Sequence, residues 1–173
     1  MACNLASNST IDCLNSKGGV KIAYIGELAD LNTYTVTSGA ITAMDLATGK
    51  KFWTYNLEKN NASYSESMKK NFDNGTKYYE GTFAFNTKKM AAATLLEFDV
   101  MAQTPLMLIY KDNNGKYFIT GIENGGQLMT NDATSGKAFA DLNGNTLSIT
   151  FEEPAPIYEV SSVIVATLIV PSA

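Results

Sequence analysis

The stretch LMLIYKDNNGKYFIT, residues 106–120, decides the fold class of this chain. Its first five residues form an apolar run that suits a central β-strand. The DNNG segment that follows has Asn-Gly at its tip, a pair that favours a tight hairpin turn. Residues 116–120 are therefore expected to pair back as the second strand.

The same kind of pattern continues on both sides of this hairpin. Residues 41–46 and 51–57 are predicted to form another hairpin, because Gly49 between them can supply a positive φ. Other alternating or short apolar segments that predict strands are 20–25, 62–68, 77–85, 147–151, 157–160 and 163–170.

The hydrophobic period changes between residues 87 and 103, which predicts an α-helix over about 88–103. Thr87 can cap it, three alanines favour it, and Thr104-Pro105 ends it. The face expected to pack on the sheet carries Ala91, Leu95, Phe98 and Ala102.

Together these segments predict a mainly β protein, a β-sandwich or barrel with one flanking α-helix. Residues 1–19 are rich in Asn, Ser, Gly and Thr and predict an extended N-terminal arm. Residues 20–173 are expected to form a single domain, since no repeat or linker divides them.

The composition disfavours nucleic-acid binding and membrane insertion. The net charge is −4, whereas a protein that binds phosphates without sequence preference needs a basic surface. The longest apolar run, 163–170, is too short to span a bilayer. The polar first ten residues do not resemble a signal peptide, so synthesis in a host cytoplasm is expected.

The residues for side-chain chemistry are sparse, so no enzyme activity and no cofactor are predicted. The chain has no histidine, and its two cysteines, Cys3 and Cys13, are expected to be free thiols, with a small loop-closing bridge as the alternative. Glu152-Glu153 is interpreted as a solvated turn rather than a catalytic pair. The DNNG segment lacks the ligand spacing of a calcium loop.

One order of motifs resembles a known class of proteins. The chain runs through EGTFAF (80–85), a helix, KDNNGKYFITGIENG (111–125), SGKAFADLNGNTLSITF (135–151) and EEPAP (152–156). This order is similar to that of tail-tube-type structural proteins of phages that infect Bacteroidetes-like hosts. The matching positions are mostly turn residues: Gly115-Lys116-Tyr117, Gly121, Asn124-Gly125, Ser135-Gly136, Asp141, Asn143-Gly144, Leu147, Phe151, Glu152 or Glu153, and Pro154-Ala155.

The resemblance covers a little under half of the chain and implies a virion protein that assembles with itself. Such proteins form rings, commonly six-fold, which stack around a lumen through which DNA passes without specific binding. Other virion proteins are the further partners implied. The arm and the polar loop 69–76 are expected to contact the next ring, and the C-terminal apolar segment to cover a neighbour's sheet edge. The residues expected at these contacts are Asn4, Leu5, Ile11, Leu14, Phe72, Asn74, Gly75, Val163 and Val165.

Other functions remain open at this point. A neck-ring, tail-hub or head-decoration protein would share the fold and the self-assembly. A β-sandwich module that binds carbohydrate or a host surface would use exposed aromatics, with Trp53 and Tyr55 or Tyr78 and Tyr79 as candidates. An enzyme would depend on a carboxylate pair such as Glu152 and Glu153.

Overall fold

A computed structural model describes residues 16–170. It contains two α-helices, α1 (Ala92–Gln103) and α2 (Ser162–Leu168). The strands are β1 (Val20–Glu27), β2 (Leu31–Thr37), β3 (Ala40–Leu46), β4 (Trp53–Asn56), β5 (Ala62–Asn71), β6 (Thr76–Lys88), β7 (Leu106–Asp112), β8 (Tyr117–Thr120), β9 (Gly126–Thr134), β10 (Gly144–Glu153) and β11 (Tyr158–Val160).

All these strands belong to one 11-stranded mixed sheet, so the prediction of a mainly β fold with a flanking helix is confirmed. The order along the sheet is β2-β3-β11-β8-β7-β9-β10-β6-β5, and β1 pairs with β7 and β4 outside this path. All pairings are antiparallel except that of β11 with β3.

Strand β7 lies at the centre because both of its faces are buried. Leu106, Leu108 and Tyr110 belong to one hydrophobic cluster, which we call core A. Met107 and Ile109 belong to a second cluster, core B. Successive side chains of a strand point to opposite faces, so the uninterrupted apolar run predicted a central strand correctly.

The two helices lie on opposite sides of this centre. Helix α1 contributes Phe98 and Met101 to core A, and α2 contributes Val165 and Leu168 to core B. Strand β1 is shared in the same way, with Ala23 and Tyr24 in different clusters. Each face of the sheet is thus covered by one helix, with α1 in contact with β9 and α2 in contact with β3.

The hairpin predicted for residues 41–46 and 51–57 does not form. Strand β3 pairs with β2 and β11, and β4 pairs with β1. The turn between β2 and β3 consists of Ser38 and Gly39, both with positive φ, at 52° and 81°. Two-residue turns of this kind match the twist of antiparallel strands, so the close β2–β3 connection forms instead of a hairpin around Gly49.

The prediction of a strand over the C-terminal segment 163–170 is wrong. It is largely helical, because Ser161 caps α2 by accepting a hydrogen bond from Ile164 N to its Oγ at 3.3 Å. Val165 and Leu168 then lie on the face that packs against core B. Only after the helix does the chain return to the sheet, where Ile169 bridges Phe52 in parallel.

Helix α1 differs from its prediction in its start and in its buried face. Strand β6 continues to Lys88, so the helix begins at Ala92 rather than near 88. Phe98 and Met101 are its buried residues, whereas Leu95 is 39% exposed. Since β10 pairs with β6 through Lys88, sheet hydrogen bonds replace the first predicted helical turn.

Candidate assembly surfaces

The hairpin of β5 and β6 extends beyond the rest of the sheet. Pairing of β6 with β10 ends at Tyr79, but pairing with β5 continues to Asn71 and Thr76. The three further pairs add about 10 Å at about 3.3 Å per residue. We call residues 68–78 the β5–β6 ribbon. Within the described residues, no third strand joins it.

The tip of this ribbon is held in a defined turn. Asn71 Oδ1 accepts hydrogen bonds from Asp73 N at 2.9 Å and from Asn74 N at 3.3 Å. Gly75 has a φ of 65°, a backbone conformation that glycine adopts without steric cost. The bracing fixes where the side chain at the tip, Phe72, points.

The ribbon combines apolar side chains with lysines. Phe72 is 83% exposed and Met68 is 55% exposed. Lys70 Nζ lies 4.4 Å from the centroid of the Phe72 ring, so the ribbon presents an aromatic and a cation side by side. With three lysines and one aspartate the ribbon is basic, although the whole chain carries −4.

Of the residues expected at subunit contacts, Phe72, Asn74 and Gly75 lie together at the ribbon tip. Val163 is 74% exposed on α2, whereas Val165 is 2% exposed inside core B and does not reach the surface. The others, Asn4, Leu5, Ile11 and Leu14, lie outside the described residues.

The last described residues of the predicted arm lie against the hairpin turn of β7 and β8. Asn114 Oδ1 accepts a hydrogen bond from Lys17 N at 2.8 Å, and Asn113 Nδ2 donates to Gly18 O at 2.6 Å. Asp112 Oδ1 accepts from Asn114 N and Lys116 N. The DNNG segment therefore forms the predicted turn and also anchors the chain that enters β1.

Three strands offer an open edge. Among residues 16–170, β2, β4 and β5 each pair with a neighbour on one side only. The unpaired backbone groups of an edge strand can add a strand from another chain. The sheet is therefore open and does not close into a barrel.

No family model matches this chain, and no curated protein or solved structure matches it either.

Helix α1 carries an apolar surface that the sequence interpretation missed. Leu96 and Val100 are 66% and 51% exposed and line a groove of about 370 Å³. Trp53 of β4, 61% exposed, also lines this groove. We call this feature the α1–β4 groove. The sequence did contain a signal for this surface, because the helix has more apolar residues than one buried face can hold.

The groove is acidic as well as apolar. Glu27 and Glu97 are among its lining residues, and no lysine is. Tyr55 Oη donates a hydrogen bond to Glu97 Oε1 at 3.1 Å. Burial, and then the charge of Glu97, raise the pKa of the Tyr55 hydroxyl. Tyr55 thus remains a neutral donor that holds Glu97 in place.

A second exposed aromatic lies in the connection between β9 and β10. Phe139 has an exposed fraction of 114%, so its ring packs against no other side chain among residues 16–170. Asp141 Oδ2 accepts hydrogen bonds from Ala138 N and Lys137 N, both at 2.8 Å. These bonds lower the pKa of the Asp141 carboxyl. We call residues 135–143 the Phe139 turn.

Glu152 and Glu153 point to opposite faces of β10 and so do not form a carboxylate pair. Glu152 is exposed, while Glu153 is only 6% exposed, so the expectation of a solvated turn is wrong for Glu153. Glu153 accepts hydrogen bonds from the backbone N–H groups of Asn124 at 3.1 Å and Glu123 at 3.3 Å. Burial nevertheless raises its pKa. The geometry gives Glu153 a role in holding the loop before β9.

The aromatic candidates for stacking are not arranged in a row. Trp53 and Tyr55 lie two positions apart on β4, where Trp53 is exposed and Tyr55 is half-buried. Tyr78 and Tyr79 are adjacent on β6 and therefore point to opposite faces. In the part of the chain from 16 to 170, no three metal-binding side chains cluster. Over the same residues, no helix has the length and hydrophobicity to cross a membrane.

Proposed function

We propose that this protein is a self-assembling structural subunit of a phage virion, of the tail-tube or tail-ring type. The observation that carries the proposal is the β5–β6 ribbon, which exposes Phe72 on a braced turn without a core beneath it. An apolar side chain held in this way gains by burial against another molecule.

Charge supports a second copy of the chain as the partner. The ribbon is basic, and the chain outside it is more acidic than the net charge of −4 indicates. Complementary surfaces on one molecule favour head-to-tail contacts, which generate rings or stacked assemblies. The same acidic excess suits a conduit, because it repels DNA rather than binding it.

The order of turn motifs from residue 80 to residue 156 supports the phage assignment. The structure has the elements in that order, with α1 between β6 and β7 and the hairpin of β7 and β8 after it. The choice among tube, neck-ring and decoration protein depends on the form of the assembly.

The proposal is tested by negative-stain microscopy and light scattering of the purified protein and of Phe72→Ser. We expect the wild type to form rings or tubes and the variant to form fewer stacked assemblies with unchanged circular dichroism. Met129→Ser is the matched control, since Met129 is 62% exposed on β9, away from the ribbon. A wild-type chain that stays monomeric at all concentrations would overturn the proposal.

A glycan-binding module remains the competing function. Its specific expectation is a monomer that binds glycans on an array through Trp53. Binding that Trp53→Ala abolishes, together with an absence of assemblies, would establish that function instead.

A further inference from the structure

We propose that the Phe139 turn of one copy docks into the α1–β4 groove of a second copy. This inference rests on the proposed self-assembly and names the contact between neighbouring subunits. The contact would join two surfaces of the part of the chain from 16 to 170. One is the Phe139 side chain, which packs against no other side chain there, and the other is an apolar groove that no side chain there fills.

The Phe139 turn has the rigidity that a docking element needs. Asp141 binds two backbone N–H groups of the turn, and Asp141 N donates to Ala138 O at 3.1 Å. Asn143 O accepts from Lys89 N at 2.6 Å, which ties the turn to the end of β6. An ordered turn loses little conformational entropy on binding, and this favours affinity.

The groove matches the turn in size and polarity. A cavity of about 370 Å³ falls within the range of pockets that bury an aromatic group. Its apolar walls include Leu96, Val100 and Met101. Burying a phenylalanine removes roughly 150–250 Å² from water, and aromatic anchors in such pockets dominate many interfaces.

Charge determines which occupant the groove favours. The groove contains Glu27 and Glu97 and no basic residue. The turn places Lys137 two positions before Phe139, and the carboxylate of Asp141 is directed at the backbone N–H groups of Lys137 and Ala138. An aromatic beside a lysine therefore complements an apolar groove beside two glutamates.

The contact is heterologous, because the turn and the groove are different surfaces. Phe139 is not among the residues that line the groove of its own chain. Each copy would offer one turn and one groove, so the contact repeats from copy to copy. Repetition of a heterologous contact closes into a ring when the rotation allows it.

Site-specific cross-linking tests this contact. One chain carries Ala138→Cys and a second carries Ala93→Cys, both with Cys3→Ser and Cys13→Ser, and a short bismaleimide is added to an equimolar mixture. Ala138 and Ala93 are exposed, and Ala93 lines the groove. We expect a covalent dimer from the mixture and little from either chain alone.

Phe139→Ala in the first chain should lower the dimer yield at subsaturating concentration by about tenfold or more, the loss typical of an interface anchor. Lys137→Glu should also lower it, and Glu27→Lys in the second chain should restore it. Ala43→Cys, at an exposed position of β3, replaces Ala93→Cys as the matched control and should give no dimer.

The outcomes separate this inference from the proposed function. If rings form but the Ala138–Ala93 cross-link does not, the docking contact is overturned and the proposed self-assembly is not. The same holds if Phe139→Ala leaves the yield of cross-linked dimer unchanged. A mixture with neither assemblies nor cross-links would overturn both. A dimer that requires Phe139 and the groove cysteine supports both.

Discussion

Leu108 and Ile109 are adjacent residues of β7, yet each is fully buried in a different hydrophobic core. Core A contains Leu108 and is covered by α1, and core B contains Ile109 and is covered by α2. The alternation of a single strand therefore joins the two halves of the protein. This sharing makes β7 the element on which cooperative unfolding depends.

Leu108→Ala and Ile109→Ala are each expected to lower the free energy of unfolding by about 2–5 kcal/mol, because each leaves a cavity in a packed core. Urea unfolding followed by both tryptophan fluorescence and circular dichroism measures the change. Both probes should show the same single transition in each variant, because β7 contributes side chains to both cores. Val163→Ala, exposed on α2, serves as the control. Separate transitions for the two probes would contradict a shared core.

Val163 and Val165 form a matched pair on α2. Val165→Ala is expected to destabilise the protein by about 1–3 kcal/mol, because its side chain is 2% exposed in core B. Val163→Ala, at 74% exposure, should change stability by no more than about 0.5 kcal/mol. Thermal unfolding of the two variants compares them directly. Equal losses would contradict the helical conformation of this segment, because in a strand the two residues share one face.

Gly126 lies under the ring of Phe151. A Cβ at this position would be 2.2 Å from Phe151 Cε1, and the ring is buried in core A. Gly126→Ala should therefore cost about 1–3 kcal/mol of unfolding free energy, a typical cost of overpacking. Gly18→Ala is the control, since a Cβ there meets no atom within 4 Å. If the double variant Gly126→Ala, Phe151→Leu regains part of the lost unfolding free energy, the strain lies at the contact between these two residues.

Glu153 makes stability depend on pH in an identifiable direction. Burial raises its pKa above the usual 4.5, so the native state keeps the proton at pH values where the unfolded state releases it. Stability due to this group is thus greatest below the unfolded pKa and is lost as pH rises through the folded pKa.

We therefore expect the unfolding free energy of the wild type, relative to Glu153→Gln, to increase as pH falls from about 7 towards about 4.5. Urea unfolding of both proteins across this range measures the difference. Glu152→Gln, at the exposed neighbouring position, provides the comparison for a general effect of removing charge. A difference between wild type and Glu153→Gln that is independent of pH would contradict the assignment.

Part of the candidate site was predictable from local residues. The polar segment 69–76 indicated a loop near Phe72, and the structure places the turn itself at residues 72–75 within a longer ribbon. The extension of the ribbon depends on where β10 stops pairing with β6, which residues 69–76 do not reveal. The α1–β4 groove was missed for a related reason: which face of α1 stays uncovered depends on its position over the sheet.

The sequence by itself determined the features that act over a few residues. The Asn-Gly hairpin of β7 and β8, the central position of an unbroken apolar strand and the end of α1 at Thr104-Pro105 follow from turn geometry, alternation and proline sterics. Only the tertiary structure decided that β3 pairs with β2 and β11, that the apolar segment after Ser161 is a helix, and that Glu153 is buried. Apolar segments of this length can bury their side chains as strand or as helix. The choice depends on which distant surface is available to cover them, and that surface exists only once the sheet has formed.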